Sequence, residues 1–173
     1  MTTHVGSRQN SIWMIRDGSS NRFCMSIDDD VVLLERVPTL RLLGAEALRV
    51  LAIGAEQQQF ASGSILFRAG DEADGGYVVQ EGGFRIHVPN GRDRKVVAER
   101  GTLIGELALI VPISRPATAI AREYSMVIRI PRTLFLRVLD SYPAAAQRLR
   151  DEFANRTRQT TSDILMASAK LSS

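Results

Sequence analysis

The stretch Gly101-Thr-Leu-Ile-Gly-Glu-Leu-Ala-Leu-Ile-Val-Pro-Ile-Ser-Arg-Pro-Ala-Thr118 decides how the rest of the chain is interpreted. It opens at a turn glycine and passes through Gly105 and Glu106 into a short apolar run that can form a helix. The run breaks at Pro112, and Arg115 follows just before a predicted strand. The segment therefore holds a glycine, a carboxylate, a helix start and a guanidinium close together in sequence.

The chain on both sides of this stretch is rich in short β-forming segments separated by turn residues. Phe84, Ile86 and Val88 alternate with Arg85 and His87, as expected for a strand with one buried face. The turn residues at 88–91, followed by another β-forming run, predict a hairpin. Strands are predicted at residues 65–67, 77–79, 84–88, 95–98, 118–121 and 126–130. Many short strands at regular spacing predict a sandwich, barrel or roll.

Helical patterns flank this β-rich region. Acidic residues at 28–30 favour a helix start, and an apolar run ending at Pro38 predicts a helix at about 29–37. A second helix is predicted over 43–55. A further helix follows Pro131, and Pro143 suits the first turn of a last helix that extends to about Ala167.

These patterns predict a mainly β fold with flanking helices. Residues 1–27 are polar and interrupted by glycines, so we expect a flexible arm. One domain is expected over 28–170, with N-terminal helices at 28–57, the β region at 58–131 and C-terminal helices at 132–170.

Composition excludes several classes of function. The 173 residues are 45% hydrophobic and 24% charged, which is typical of one soluble domain. Cys24 is the only cysteine, and His4 and His87 are the only histidines, so we expect no internal disulfide and no Cys- or multi-His metal centre. No nucleophile–base pair is apparent, so we expect no enzymatic activity.

The charge pattern argues against nucleic-acid and membrane partners. The net charge of +3 comes from scattered arginines. The densest group, which includes Arg148 and Arg156, also contains Asp151 and Glu152, so it is interpreted as a solvated helix face. No 18-residue apolar stretch or signal core is present, which favours a cytoplasmic protein.

The glycine, the carboxylate, the helix start and the guanidinium of the 101–118 segment could together bind a cyclic mononucleotide. Arg115 can pair with the cyclic phosphate, and the N–H groups at the Glu106 helix start can cradle it. Gly105 lets the backbone approach closely, and the Glu106 carboxylate can accept the ribose 2′-OH. The alternative is that Gly105 is a turn glycine, Glu106 stabilises the helix dipole, and Arg115 pairs with Glu106 and binds nothing.

The segment resembles the phosphate-binding cassette of the cyclic-nucleotide-binding domain family. That pattern is Gly-Glu-Leu-Ala-Leu followed by Arg-x-Ala-Thr, which here occupies residues 105–109 and 115–118. The Glu-to-Arg spacing resembles that of the regulatory subunits of cAMP-dependent protein kinase. Residues 65–71 and 77–82 are similar to the family's first β-roll strands, and the resemblance covers about residues 40–155.

The resemblance implies an antiparallel β-roll (a jelly-roll-like double-stranded β-helix), preceded by N-terminal helices and closed by C-terminal lid helices. It implies that Glu106 and the Gly105 backbone hold the 2′-OH, and that Arg115 pairs with the phosphate. The backbones of Ala108 and Ala117 would assist, and Leu107 and Leu109 would pack beneath the ribose or anchor the cassette. The full predicted site is Gly105, Glu106, Leu107, Ala108, Leu109, Arg115, Pro116, Ala117 and Thr118, with Ile86, Val96 and Ala98 facing the base.

Pro116 departs from the family pattern, which places a small residue with an N–H after the arginine. The missing donor removes a hydrogen bond to a charged group, worth about 1.5–3 kcal/mol, which corresponds to about a tenfold to hundredfold loss of affinity. In that family a serine or threonine hydroxyl at this position is associated with cGMP preference, so the resemblance implies cAMP rather than cGMP as the ligand.

We therefore expect a stand-alone, cytoplasmic, bacterial sensor that binds cAMP, less readily cGMP, and signals by repositioning its C-terminal helices to an unidentified effector. The alternative is a degenerate fold that acts as an interaction module without ligand. Because few residues follow the last predicted helix, we expect no DNA-binding domain in this chain. The last helix has a half-polar seam, which indicates a monomer or a weak homodimer.

Overall fold

The computed structural model describes residues 26–89 and 96–171, with side chains described as far as residue 159. The predicted arm at 1–27 and the turn at residues 90 and 91 therefore lie almost wholly outside the described residues. Three helices come first: α1 (Ile27–Glu35), α2 (Pro38–Arg41) and α3 (Ala45–Gly54).

Helix α1 begins two residues before the predicted start because Ser26 caps it. The Ser26 hydroxyl accepts the Asp29 N–H, and the Asp29 carboxylate accepts the Ser26 N–H at 3.0 Å. This reciprocal pair satisfies two of the free groups at the helix start. Pro38 does end the first apolar run, but it also occupies the first turn of α2, where its missing N–H is not needed.

Antiparallel strands form the centre of the molecule. They are β1 (Glu56–Phe60), β2 (Ile65–Phe67), β3 (Glu72–Ala73), β4 (Gly75–Glu81), β5 (Gly83–His87), β6 (Val96–Glu99), β7 (Leu103–Ile104), β8 (Ile113–Ser114), β9 (Thr118–Ala121) and β10 (Ser125–Pro131). One sheet has the order β1-β10-β4-β7 and a second has β2-β9-β5-β6, while β3 pairs with β8. The antiparallel β-roll with flanking helices is confirmed.

The two large sheets enclose an apolar core. Phe84 is fully buried and contacts Phe60 edge-to-face, with ring centroids 5.8 Å apart. Strands β5 and β6 pair antiparallel, with Ile86 opposite Val96, as the predicted hairpin requires. Strand β1 was not predicted, and it begins at Glu56, before the expected helix boundary at residue 57.

A second core joins the outer face of β4 and β10 to the helices. Tyr77 and Val79 of β4 pack between the sheets, whereas Val78 packs with the helices, as the strand alternation requires. Helices α4 (Arg132–Ser141) and α5 (Pro143–Leu171) close this core, with Phe135 and Leu149 buried in it. No helix in the described part of the chain is both long and apolar enough to cross a membrane.

The predicted solvated face of α5 is corrected at Arg148, whose side chain contacts the N-terminal helices. Arg148 Nε donates to the Leu42 carbonyl at 2.8 Å, and its Nη2 donates to the Leu43 carbonyl at 3.2 Å. These bonds satisfy backbone acceptors just after α2 and tie the start of α5 to the N-terminal helices.

Candidate functional site

Gly105 forms the sharp turn between β7 and a short 3₁₀ helix, Glu106–Leu109. Its φ of 81° and ψ of 39° lie in the left-handed region, which disfavours residues with a Cβ. A Cβ at this position would also lie 2.4 Å from Arg115 Nη1. Glycine is therefore required here both for its backbone conformation and for the close approach of the guanidinium.

Arg115 directly follows β8 and is only 4% exposed. Its Nη2 donates to the Gly75 carbonyl at 2.8 Å, and its Cζ lies 4.3 Å from the Phe67 ring centroid and 5.3 Å from that of Tyr77. Among the described residues, Nη1 has no hydrogen-bond partner and the guanidinium forms no ion pair. Burial lowers the pKa of Arg115, although Tyr77 and Asp74 partly offset this effect.

Glu106 opens the 3₁₀ helix, and its carboxylate is held by two residues from other parts of the chain. Its Oε1 accepts a hydrogen bond from Thr39 Oγ1 and forms an ion pair with Arg156 Nη1, which lies 3.2 Å away. The interpretation in which Arg115 is neutralised by Glu106 is therefore wrong. No carboxylate among the described residues forms an ion pair with the buried Arg115 guanidinium, and burying a charge without such a partner costs free energy.

A cavity of about 250 Å³ lies over these groups. Its walls combine the two charged side chains with apolar ones, and the predicted residues among them are Ile86, Gly105, Glu106, Leu107, Arg115, Pro116 and Ala117. Phe67, Ile104 and Ile113 complete the lining and were not predicted. Phe67 lay within a predicted strand, but its orientation toward Arg115 follows from the pairing of β2 with β9, which no local pattern indicates.

The other predicted residues do not line this cavity. Leu109 is buried in the helical core, and Ala98 is buried between the sheets. Val96 is 49% exposed on β6. The Ala108 N–H donates to the Gly105 carbonyl at 3.1 Å, and Thr118 Oγ1 accepts the Ala69 N–H at 2.9 Å, so both polar groups have partners within the protein.

Comparisons with known proteins identify the relatives of this chain. The family profile described as the cyclic nucleotide-binding domain matches residues 57–142. A cyclic nucleotide-binding-like protein from Brucella abortus is 35% identical, with a TM-score of 0.57, and the match covers 65% of this chain and 99% of that one. The N-terminal domain of a transcriptional regulator from Streptomyces coelicolor is 30% identical, with a TM-score of 0.69, and the match covers 76% of this chain and 94% of that one.

The chain also matches part of a much longer protein, the lysophospholipase nte1 of Aspergillus niger. The two are 32% identical over 133 residues, which is 70% of this chain. The chain spans about 9% of the length of the curated relatives that it matches. Together with the β-roll and the buried arginine, these matches show that the chain belongs to the cyclic nucleotide-binding domain family.

Proposed function

We propose that this chain is a non-enzymatic regulatory domain that binds a cyclic mononucleotide, cAMP in preference to cGMP, in the cavity over Arg115. The observation that carries the proposal is the buried guanidinium of Arg115, whose Nη1 has no partner among the described residues. A cyclic phosphate carries the negative charge and the acceptor oxygens that this group lacks.

The surroundings of Arg115 orient it for such a ligand. The Gly75 carbonyl holds Nη2, and the rings of Phe67 and Tyr77 stack near the guanidinium. These contacts fix the plane of the Arg115 guanidinium without neutralising its charge. The side chain therefore loses less conformational freedom when a ligand binds. Glu106 on the same cavity wall is the acceptor we assign to the ribose 2′-OH.

The preference for cAMP rests on the chemistry of the cavity wall. Pro116 supplies no hydroxyl, and its described neighbours Ile86, Ile113 and Ala117 are apolar. These four side chains offer no hydrogen-bond donor or acceptor to the polar edge of guanine. Adenine, with fewer polar groups to desolvate, is therefore the better fit.

Signalling is proposed to pass through Leu107. This side chain is 57% exposed, and it lines both the ligand cavity and a second, apolar groove of about 730 Å³. The groove lies between the 3₁₀ helix and helices α4 and α5. A ligand that favours one position of the 3₁₀ helix would thereby favour one packing of these helices, which an effector protein can detect.

Titration calorimetry with cAMP and cGMP tests the proposal. We expect cAMP to bind more tightly than cGMP, and Arg115→Ala to weaken cAMP binding about thirtyfold or more, because the phosphate loses its buried partner. The matched control is Arg85→Ala, which removes an exposed arginine from β5, next to Ile86. Equal affinities for the wild type and Arg115→Ala would overturn the site assignment.

Pro116 favours a second candidate function, an interaction module that binds no nucleotide. Because proline has no N–H, the loop lacks a donor toward the phosphate. If neither nucleotide raises the melting temperature at millimolar concentration, this second function replaces the first. If the first holds, Pro116→Ala should tighten cAMP binding about tenfold by restoring the donor.

A further inference from the structure

We infer that Thr39 and Arg156 are positioning residues, which hold the Glu106 carboxylate where it can accept the ribose hydroxyl of the ligand. This inference rests on the proposed function. It assigns roles to two residues outside the loop that carries Gly105 and Arg115, one from the N-terminal helices and one from the last helix.

Thr39 approaches Glu106 from helix α2. The residue is only 5% exposed, and its hydroxyl donates to Glu106 Oε1. A buried hydroxyl needs a hydrogen-bond partner, because leaving it unsatisfied costs the free energy of removing it from water. The contact therefore constrains both side chains, and it joins residues that lie 67 positions apart in the chain.

Arg156 approaches the same oxygen from helix α5. Its Nη1 lies 3.2 Å from Glu106 Oε1, while its Nε donates to Glu152 Oε1 at 2.9 Å. Its Cζ also lies 5.8 Å from the ring centroid of Phe153. Glu152 and Phe153 of the same helix thus orient the Arg156 side chain. This orientation restricts the guanidinium to a position from which it contacts Glu106.

Two donors on one oxygen leave acceptor capacity for a ligand. An ionised carboxylate has about four lone-pair sites, and both protein donors form their hydrogen bonds with Oε1. The Glu106 side chain is 31% exposed and lines the cavity, so a ligand hydroxyl can reach it. An unrestrained glutamate side chain would lose rotamer freedom when it bound the ligand, whereas one already held by Thr39 and Arg156 loses little.

The test compares two ligands that differ only at the group Glu106 is assigned to bind: cAMP and 2′-deoxy-cAMP. Calorimetry is carried out on the full chain and on Thr39→Val, which removes the hydroxyl but keeps the shape. We expect Thr39→Val to weaken cAMP binding about tenfold and to change 2′-deoxy-cAMP binding by less than about twofold. Thr39→Ser keeps the hydroxyl and should bind both ligands as the wild type does.

Arg156→Gln provides an independent second variant, which decides the question if Thr39→Val does not fold. It should also weaken cAMP selectively, and Arg158→Gln, which changes an exposed arginine two residues away, should not. An equal loss for both ligands would overturn the inference, because a merely structural role would affect both alike. Tighter cAMP binding would overturn it too, since the contacts would then hold Glu106 away from the ligand.

The result for the wild type separates this inference from the proposed function. If the wild type binds neither ligand, the proposed function fails and the inference fails with it. If it binds both ligands equally well and Arg115→Ala weakens both, the proposed function stands and the role of Glu106 and its positioning residues is overturned.

Discussion

The proposed ligand site rests first of all on Arg115. Among the described residues, the Gly75 carbonyl and two aromatic rings order its guanidinium, but no carboxylate forms an ion pair with it. Gly105 makes this placement possible, because any larger residue would meet Nη1. The two positions are ten residues apart in sequence and in direct contact in the fold. A substitution at Gly105 should therefore change the position of the Arg115 side chain.

Gly105→Ala should therefore weaken ligand binding as well as stability. The alanine must adopt a left-handed backbone conformation, and its Cβ must displace Arg115 Nη1. Together these two effects should lower the free energy of unfolding by about 2–4 kcal/mol. Thermal unfolding and calorimetry measure the two effects.

Gly63→Ala is the matched control for that substitution. Gly63 has the same φ of 81°, but a Cβ added there would meet no heavy atom within 4 Å. The variant should lose only the backbone part, about 1–2 kcal/mol, and keep its affinity for cAMP. Equal affinity losses in both variants would show that the contact between Gly105 and Arg115 does not shape the site.

The sequence indicates the local part of the site and none of the long-range part. Gly105, Glu106 and Arg115 can be predicted together because the loop that carries them is short. Thr39 and Arg156 cannot, because each meets Glu106 only after the helices at both ends of the chain have packed against the roll. The backbone donor expected from Ala108 is engaged within the 3₁₀ helix, a detail that depends on the geometry of that turn.

At the scale of elements, helix α1 is joined to the sheet by a buried carboxylate. Asp30 is 7% exposed and accepts hydrogen bonds from Gln57 Nε2 of β1 at 3.0 Å and from Gln80 Nε2 of β4 at 2.6 Å. Burial raises the pKa of Asp30, with the neighbouring charge of Asp29 acting in the same direction and the two hydrogen bonds opposing it. The folded state therefore binds this proton more tightly than the unfolded state does.

Asp30→Asn should change the pH dependence of stability in a direction fixed by that shift. The stability that Asp30 contributes is fully present below its ordinary pKa of 3.8 and is lost as the pH rises through its raised folded value. The variant should avoid this loss, so its stability relative to the wild type should increase with pH across that range. Urea unfolding at a series of pH values measures it, and a parallel pH profile for both proteins would contradict the assignment.

Asp29→Asn supplies a control of opposite sign from the adjacent residue. The hydrogen bonds from Ser26 lower the pKa of Asp29, so its contribution is present above pH 3.8 and is lost as the pH falls through the lowered value. This variant should be less stable than the wild type near neutral pH, and the difference should disappear in acid.

Elements were predictable where their side-chain pattern was strong. Strands β4, β5 and β10 carry apolar runs and were expected within a few residues of their observed bounds. Strand β1 reads Glu-Gln-Gln-Gln-Phe and has no such pattern, because it is a mostly exposed edge strand ordered by its pairing with β10. The start of α1 depends on the Ser26 hydroxyl, whereas the acidic run that follows it indicates a later start.

At the scale of the whole molecule, β4 connects two cores, one between the sheets and one under the helices. The 3₁₀ helix contributes Leu109 to the helical core, and its Leu107 lines both the proposed ligand cavity and the apolar groove. In the proposed mechanism, a ligand would act on α4 and α5 through Leu107. The size of the response depends on how differently the ligand binds the two packings.

Leu107→Ala should separate binding from response. Because Leu107 touches both spaces, the variant should bind cAMP within a few-fold of the wild type but lose most of the ligand-induced change in hydrogen exchange over residues 132–159. Val111→Ala is the control, since Val111 lines the groove but not the ligand cavity. An unchanged exchange response in Leu107→Ala would contradict the proposed route.

A crystal structure of the chain grown with saturating cAMP would show whether Arg115 and Glu106 hold a cyclic nucleotide. We predict a nucleotide in the cavity, with a phosphate oxygen within hydrogen-bonding distance of Arg115 Nη1 and the 2′-OH on Glu106. An empty cavity with Arg115 unchanged, or a nucleotide bound elsewhere on the molecule, would contradict this prediction.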